Sequence, residues 1–305
     1  MSSSPTDNTI RIKNKERYNA MKEYIVMGRS NGTTRRGDPY CTLKLRNREE
    51  ESTVAVWDVA PTDPPVVGQI VTFTNIQDND GKRSARKMEM LPGIVADESH
   101  PLYSLLPHPI KREEWDRCMQ QLMGYCHDEQ LKAFIAEYAE ILFKPYSQYP
   151  AATNIHHAFR GGLLNHTYQM LHMLEGLAPC LPYPVKVERC IIAILFHDYG
   201  KVYEYTKDGE PRDYKYLLGH IFISANRLYG KLKEKDIDEA EINHITHIVL
   251  AHHGELEYGS PVKPCSQEAV IVNLLDNLSA KTDVIEFTGN MESAFALGTH
   301  VVKEP

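Results

Sequence analysis

The feature that most constrains this chain is the apolar run over residues 190–196, which is apolar on every side and ends in the pair His197-Asp198. A helix without a polar face has to be buried among other elements. A charged pair at the end of such a helix is costly unless it is compensated, and a bound metal supplies that compensation. The sequence therefore predicts a buried helix that leads into a metal site.

Five histidines and two aspartates form an ordered set around this pair. They are His166, His197, Asp198, His220, His252, His253 and Asp276. A single buried histidine is usually a hydrogen-bonded core residue, but seven such groups without a metal would leave many buried polar atoms unpaired. Imidazole and carboxylate ligands together suit transition metals better than calcium or magnesium. We expect two divalent metal ions, with manganese as the first candidate and iron, cobalt or nickel as alternatives. Asp198 is the expected bridge, because a carboxylate offers one oxygen to each metal.

The hydrophobic periodicity changes along the chain. Short alternating stretches occur near residues 24–27, 40–46, 53–57, 69–74 and 86–90, separated by turns such as SNGTTRRGD, NREEES and DNDGK. Four to five strands at this spacing predict a small β-barrel or sandwich, with an OB-fold as the leading candidate. From residue 131 onward the spacing is helical. Further helices are expected near 163–177, 185–198, 217–233, 238–252 and 267–281.

Three prolines in residues 96–110 interrupt both patterns. The expected organisation is a tail over 1–17, an OB-fold domain over 18–95, a linker over 96–110 and an all-α domain over 111–305. No stretch approaches the roughly 18 apolar residues of a membrane span. The N-terminus lacks an apolar signal core and the six cysteines are scattered, so we expect a cytoplasmic protein with reduced thiols. The net charge of −7 argues against general coating of nucleic acid.

Several residues near the expected ligands are candidates for substrate contacts. Lys201 follows His197 by four residues and is expected to bring a positive charge to a phosphate oxygen. Arg160 and His157 precede His166 in a glycine-rich stretch, where backbone at Gly161-Gly162 can approach a phosphate and Arg160 can clamp it. Tight packing of the glycines and a surface ion pair of Arg160 are the alternatives.

Other candidates lie further from the ligand pair. Glu255 and Tyr258 are expected either to contact substrate or to form the end of a helix. In the N-terminal region, a role in binding single-stranded nucleic acid is expected for basic loop residues and one aromatic residue. These are Arg35, Arg36, Tyr40, Lys82 and Arg83. Phe73 is expected in the core, and Trp57 is either a core residue or a stacking surface.

Five strings resemble those of HD-domain phosphohydrolases, and the likeness is closest to YhaM-type 3′-to-5′ exoribonucleases. The strings are NIHHAFRGGLLNHT (154–167), HDYGKVYEY (197–205), LLGHI (217–221), AHHGELEYGSPV (251–262) and LLDNLSAK (274–281). The most specific of them is HHGELEYGSP. The family also carries an N-terminal OB-fold, which residues 18–95 match in outline, including VAVWDV around Trp57.

The resemblance implies a ligand set for each metal. His166, His197, Asp198 and Asp276 would hold the first metal, whereas Asp198, His220, His252 and His253 would hold the second. A related HD subgroup has a glutamate ligand where this chain has Gly162. Water would therefore complete the second site. The chain end ALGTHVVKEP also differs from the aromatic, basic ending of the family, so no substrate role is assigned to it.

Together these features lead us to expect a metal-dependent 3′-5′ exonuclease that hydrolyses single-stranded RNA to 5′-mononucleotides, with single-stranded DNA as a second candidate. A hydroxide shared by two metals would attack the phosphodiester, and Lys201 and Arg160 would neutralise charge on the phosphoryl oxygens. One alternative is an HD-type nucleotide or cyclic-nucleotide phosphohydrolase. Another is a non-catalytic regulator that binds single-stranded nucleic acid. No membrane partner is expected, and the sequence leaves open whether the protein forms a homo-oligomer.

Overall fold

A computed structural model of the protein describes residues 22–59, 65–96, 99–106, 110–152, 157, 159–181, 185–207 and 209–287. The chain divides into two compact units, residues 1–107 and 108–305. The first unit is built from strands and the second from helices, which confirms the predicted order of a β unit followed by an α unit. The tail expected over residues 1–17 and the chain end ALGTHVVKEP lie outside the described residues.

In the part of the N-terminal unit that the structure describes, seven strands form a single sheet. They are β1 (Glu23–Thr33), β2 (Pro39–Arg46), β3 (Glu51–Trp57), β4 (Gln69–Phe73), β5 (Gln77–Asn79), β6 (Lys82–Arg86) and β7 (Met90–Val95). Their order is β5-β6-β3-β2-β1-β4-β7, in which β3 and β6 are parallel and the other neighbours are antiparallel. The OB-fold assignment of this unit stays a prediction.

The predicted turn SNGTTRRGD is only partly a turn, because β1 continues to Thr33. Gly32 pairs with Tyr40 on β2, and the Tyr40 ring fills the space in front of Gly32. A Cβ at Gly32 would lie 2.6 Å from that ring. The glycine is thus needed for packing across two strands and not for a reversal of the chain. The reversal follows at Gly37, where φ is +90°.

The single strand predicted near residues 86–90 is wrong. A 3-10 helix over Lys87–Glu89 separates β6 from β7. The carboxylate of Glu89 accepts a hydrogen bond from the backbone N–H of Arg86 at 2.7 Å, which closes this turn. The short strand β5 was not predicted, since its sequence, QDN, is polar and exposed.

The core of the N-terminal unit contains inward-facing residues of β1 to β4, among them Val26, Leu43, Val54 and Phe73. Phe73 lies in the core as predicted, with 8% of its surface exposed. Part of the segment expected as a linker also packs on this unit, because Leu102 lies against Ile25 in a second apolar cluster. Apolar side chains after residue 95 thus extend the unit beyond the boundary that its prolines indicated.

The described part of the C-terminal unit is helical. Its helices are α1 (Arg112–Met123), α2 (Glu129–Tyr146), α3 (Gly162–Leu177), α4 (Val187–Phe196), α5 (Lys201–Glu204), α6 (Asp213–Leu217), α7 (His220–Lys233), α8 (Glu239–Leu250) and α9 (Gln267–Phe287). Across the described residues, we find no helix that combines the length and the apolar character needed to span a membrane.

Helix α4 is the centre of this unit, as its all-round apolar sequence predicts. It packs against α1, α2, α3, α7, α8 and α9, and every residue from Cys190 to Phe196 is fully buried. Apolar burial of this kind contributes roughly 25 cal/mol per Å² removed from water. Helix α4 ends at Phe196, so His197 and Asp198 are held in the interior of the unit.

Candidate metal centre

The seven predicted ligands come together in the C-terminal unit, and we call this group the metal centre: His166, His197, Asp198, His220, His252, His253 and Asp276. They come from α3, the turn after α4, the start of α7, the turn after α8, and α9. Four of them are almost completely buried, with His166, His197, Asp198 and His252 at 2% exposure or less. Segments that are distant in the chain, from His166 to Asp276, therefore meet in one site.

Backbone carbonyls orient three of the imidazoles. Nδ1 of His197 lies 2.8 Å from the carbonyl oxygen of Ile194, and Nδ1 of His252 lies 2.6 Å from that of Val249. In the same way, Nδ1 of His253 lies 2.8 Å from the carbonyl oxygen of Tyr258. A carbonyl only accepts, so each Nδ1 carries the proton and Nε2 keeps its lone pair for a ligand.

Side chains orient the other two imidazoles. His166 Nδ1 lies 2.9 Å from the hydroxyl oxygen of Ser279, and that hydroxyl donates to the side-chain oxygen of Gln169 at 2.7 Å. His220 Nδ1 lies 3.5 Å from a carboxylate oxygen of Glu204, which is buried. Such outer partners fix the ring orientation of metal ligands. The sequence analysis missed Ser279 and Glu204, although Ser279 lies three residues after Asp276 on the same helix.

The ligand atoms fall into two groups on either side of Asp198. His166, His197 and Asp198 can converge on one ion, and His220, His252 and His253 can converge on another. Asp198 Oδ2 lies 3.3 Å from His197 Nε2 and 3.7 Å from His166 Nε2. The other oxygen, Oδ1, lies 3.5 Å from His220 Nε2 and 4.0 Å from His252 Nε2. The two oxygens of one carboxylate thus face different histidine groups.

Several of these atoms fit a bound cation. Asp198 Oδ1, His220 Nε2 and His252 Nε2 are buried without a hydrogen-bond partner. Buried polar atoms of this kind are rare unless water or an ion satisfies them. Imidazole nitrogens and carboxylate oxygens are the ligands of divalent transition metals. The donor set and its unpaired atoms therefore fit divalent metals.

Both carboxylates of the centre and His252 are in the protonation states that metal ligands require. Burial raises the pKa of Asp198, but the charge of Lys201 and the imidazole of His197 outweigh it, and the pKa lies well below its usual value. Burial likewise opposes ionisation of Asp276, yet the neighbouring imidazole of His166 brings the pKa below its usual value. Burial and the neighbouring His253 lower the pKa of His252. Both carboxylates are thus charged and His252 is neutral near pH 7.

Lys201 contacts the metal centre at Asp198. Its ammonium lies 2.6 Å from Asp198 Oδ2, and the residue is buried. Helix α4 does not continue to Lys201, since a turn over residues 197–200 separates it from α5. Gly200 is required in this turn, because a Cβ there would lie 2.3 Å from the carbonyl oxygen of His220. The turn therefore places Lys201 beside the carboxylate and α7 against Gly200.

The glycine-rich stretch before His166 packs against its own backbone. A Cβ at Gly162 would lie 1.9 Å from the carbonyl oxygen of His157, so the glutamate of the related HD subgroup does not fit here. His157, which was expected to contact substrate, is 1% exposed and lies behind His166, with Nε2 3.4 Å from the Ser279 hydroxyl. Arg160 is exposed immediately before α3.

Glu255 and Tyr258 follow the His252-His253 pair in the chain. Glu255 forms an exposed ion pair with Lys263 at 2.6 Å. Tyr258 contributes its backbone carbonyl to His253, while its side chain is 68% exposed. The backbone of Tyr258 therefore has a structural role, and its ring is available at the surface.

The predicted nucleic-acid residues of the N-terminal unit differ in their surroundings. Arg35, Arg36 and Lys82 are exposed. Arg83 instead forms ion pairs with Glu50 at 3.0 Å and Asp78 at 3.2 Å, because the parallel pairing of β3 and β6 brings it close to Glu50. The half-buried Tyr40 ring lies 5.1 Å from that of Trp57, and Trp57 is 38% exposed. Trp57 is thus a surface residue and not a core residue.

Comparisons with known proteins agree with this geometry. The HD domain family matches residues 163–281, which include all seven predicted ligands. The chain is 30% identical over 277 residues to a 3′-5′ exoribonuclease YhaM from Geobacillus sp. (strain WCH70), covering 86% of this chain and 82% of that protein.

Two other relatives carry the same name. The YhaM of Bacillus subtilis (strain 168) is 28% identical over 279 residues, covering 86% of this chain and 85% of the relative. That of Bacillus velezensis is 27% identical over 271 residues, covering 85% and 83% respectively. No solved structure is similar enough to the chain to count as a match.

Proposed function

Since the chain belongs to the YhaM 3′-5′ exoribonuclease family, we propose that it hydrolyses single-stranded RNA from the 3′ end and releases 5′-mononucleotides. The chain is a hydrolase with an HD domain, and the relatives and this domain support a metal-dependent nuclease. The observation that carries the proposal is the position of Asp198, whose two oxygens face two separate histidine groups. A carboxylate in this position suits a centre that binds two cations.

The proposed ligands follow the two groups. His166, His197, Asp198 and Asp276 would hold one cation, and Asp198, His220, His252 and His253 the other. Manganese is the first candidate, ahead of iron, cobalt and nickel. A pair of divalent cations supplies charge neutralisation and makes water nucleophilic near neutral pH.

The substrate would approach from the more open side of the centre. The side chains of His220 and Asp276 are 17% and 16% exposed, whereas those of His166 and His197 are 1% exposed. A buried centre with one accessible side admits the end of a strand more easily than the middle of a folded duplex. The family name of the relatives indicates that this end is the 3′ end.

Two basic side chains would act on the phosphate groups. Lys201 holds a positive charge against Asp198 inside the centre, where a low dielectric strengthens its effect on nearby phosphoryl oxygens. Arg160 is exposed at the start of α3. We propose that its guanidinium binds a phosphate of the incoming strand. Arg160 would therefore act at the surface on the incoming strand, whereas Lys201 would act inside the centre on the phosphate that is hydrolysed.

The N-terminal unit would bind the rest of the strand. The exposed Trp57 ring with Tyr40 beside it offers a surface on which bases can stack, and Arg35, Arg36 and Lys82 offer charges for the backbone. Neither stacking nor phosphate contacts distinguish ribose from deoxyribose, so single-stranded DNA is a second candidate substrate. The scattered cysteines support a cytoplasmic location.

A test of the proposal uses the manganese-loaded full chain and three RNA substrates of the same sequence. These are a 5′-labelled linear strand, the same strand with a 3′-phosphate, and its closed circle. We expect a ladder of progressively shorter labelled products from the linear strand, release of 5′-mononucleotides, slower digestion of the 3′-phosphate form and no cleavage of the circle.

Asp198→Asn is the matched control for a contaminating nuclease, because it changes one ligand atom and should abolish the ladder. Rapid cutting of the circle would show an endonuclease and contradict the proposal. Hydrolysis of free nucleotides or cyclic nucleotides without action on RNA would support a nucleotide phosphohydrolase instead. Binding of RNA without hydrolysis would support a non-catalytic regulator.

A further inference from the structure

A second group of metal-binding side chains lies away from the metal centre, between α1 and α3. It consists of Cys118 on α1 and of His172 and Glu175 on α3, and we call it the α1–α3 cluster. One donor atom of each residue lies within 4.8 Å of the other two. The imidazole Nδ1 of His172 lies 3.1 Å from a carboxylate oxygen of Glu175. None of the three residues contributes to the metal centre.

The three side chains of the cluster differ in exposure, and the thiol is the most buried of them. The His172 side chain is 64% exposed and that of Glu175 is 20% exposed, whereas Cys118 is 2% exposed. Tyr168 lies one helical turn before His172 on α3, and its ring stacks on the imidazole with centroids 5.7 Å apart and an angle of 11°. This stacking restrains the His172 ring, whose Nδ1 faces the carboxylate of Glu175.

We propose that Cys118, His172 and Glu175 bind one zinc-like transition-metal ion, separate from the metal centre. Thiolate, imidazole and carboxylate are the three protein ligands that zinc uses, with bonds of about 2.0 to 2.3 Å. The three donor atoms already lie within 4.8 Å of one another, so rotation of the exposed His172 and the half-buried Glu175 side chains would bring them around one ion. Three protein ligands leave a fourth position for water.

Binding would release a proton and join two helices. Burial and a hydrogen bond with Glu175 raise the pKa of the Cys118 thiol to about 12. Without a metal the thiol is therefore protonated, and metal binding transfers that proton to solvent, so affinity should increase with pH. Because α3 also carries His166, the ion would fix α1 against a helix of the metal centre.

Cobalt(II) is the probe that separates the two sites. The ligands of the metal centre are imidazoles and carboxylates, so a thiolate-to-cobalt charge-transfer band in the near ultraviolet reports a cysteine ligand. We titrate cobalt into the reduced, full-length protein whose metal centre has first been loaded with manganese. We expect the band to appear and to saturate, whereas cobalt that replaces manganese in the metal centre adds no thiolate band.

Three variants assign the band. Cys118→Ser should remove it. His172→Gln, a change at an exposed position that leaves the buried thiol in place, should weaken cobalt binding by at least the roughly tenfold that loss of an outer partner costs. The matched control is Cys265→Ser, which removes an exposed thiol that lies 3.1 Å from Nε2 of His247. This control should keep the band unchanged.

Each contrary result would overturn the proposal. These results are the absence of the band in the unaltered protein, its persistence in Cys118→Ser, its loss in Cys265→Ser, and unchanged cobalt affinity in His172→Gln. The result is independent of nuclease activity, because Asp198→Asn should lose RNA hydrolysis and still show the band.

Discussion

The hydroxyl of Ser279 lies directly behind His166, and its removal is a sharp test of how the metal centre is held. Ser279 is 1% exposed. Its oxygen lies 2.9 Å from His166 Nδ1 and donates its own proton to Gln169 at 2.7 Å. In Ser279→Ala the buried Nδ1–H of His166 loses the acceptor that keeps Nε2 free for a metal, and the half-buried Gln169 loses its donor.

The size of the effect follows from this hydrogen bond. Leaving a buried donor or acceptor unpaired costs about 1–3 kcal/mol. Removal of the outer partner of a metal-binding histidine lowers metal affinity by about 10 to 100-fold, and such a loss corresponds to about 1.4 to 2.7 kcal/mol. We therefore expect Ser279→Ala to bind manganese about 10 to 100-fold more weakly, with RNA turnover partly restored at high manganese concentration.

The assay is a manganese titration of the metal-free protein, followed by RNA turnover over the same range of manganese concentration. Thr282→Ala is the matched control on the same helix, because its exposed hydroxyl donates to the backbone carbonyl of Leu278 and not to a histidine side chain. Manganese affinity that is equal in Ser279→Ala and Thr282→Ala would refute the role of Ser279 in orienting His166.

Three further predictions follow from individual contacts. Asp198→Asn should keep the fold but lose metal and activity together, and two full metal equivalents in an active variant would contradict the bridging role. Lys201→Ala should lower turnover at saturating RNA while metal content stays intact, and unchanged turnover would exclude Lys201 from the mechanism. Hydrogen bonds from Arg83 and Tyr24 bring the pKa of Glu50 down from 4.5 to about 2. The charged carboxylate of Glu50 therefore contributes its full stabilisation above pH 4.5, and this stabilisation is lost as pH falls towards about 2. Acid unfolding of the N-terminal unit should consequently be less steep in this range in Glu50→Gln. The fluorescence of Trp57 follows this unfolding.

The parts of the fold that depend on side-chain periodicity were predictable. The all-round apolar sequence of α4 requires burial, and the structure places residues 190–196 in the core. The strand boundaries were less predictable, because they depend on contacts between distant residues. Gly32 resembles a turn residue in sequence but lies in a strand, since the ring of Tyr40 occupies the space beside it.

The sequence predicted the seven residues that come together in the metal centre, but not the residues that support them. The side-chain chemistry of histidine and aspartate makes them candidate ligands, whereas nothing in the sequence distinguishes Ser279 and Glu204 from other polar residues. Only the fold places these two behind His166 and His220. The surroundings of Arg83 were equally unpredictable, because its charge indicated a nucleic-acid contact and gave no sign of its ion pairs. Its ion pairs depend on the pairing of β3 with β6, which the sequence did not show.

The α1–α3 cluster had no signal in the sequence for a similar reason. Cys118 and His172 lie far apart in the chain and belong to no spaced ligand motif. Only the packing of α1 on α3 brings the thiol, the imidazole and the carboxylate together. Cysteine in an apolar helix pattern therefore indicates a core residue until its neighbours are known.

The most direct measurement of the central claim is anomalous diffraction at the manganese edge from crystals of the manganese-loaded protein. We expect two anomalous peaks about 3.5–4 Å apart. One should lie among His166, His197 and Asp276, the other should lie among His220, His252 and His253, and Asp198 should contribute one oxygen to each. A single peak, or two peaks that do not share Asp198, would contradict the account.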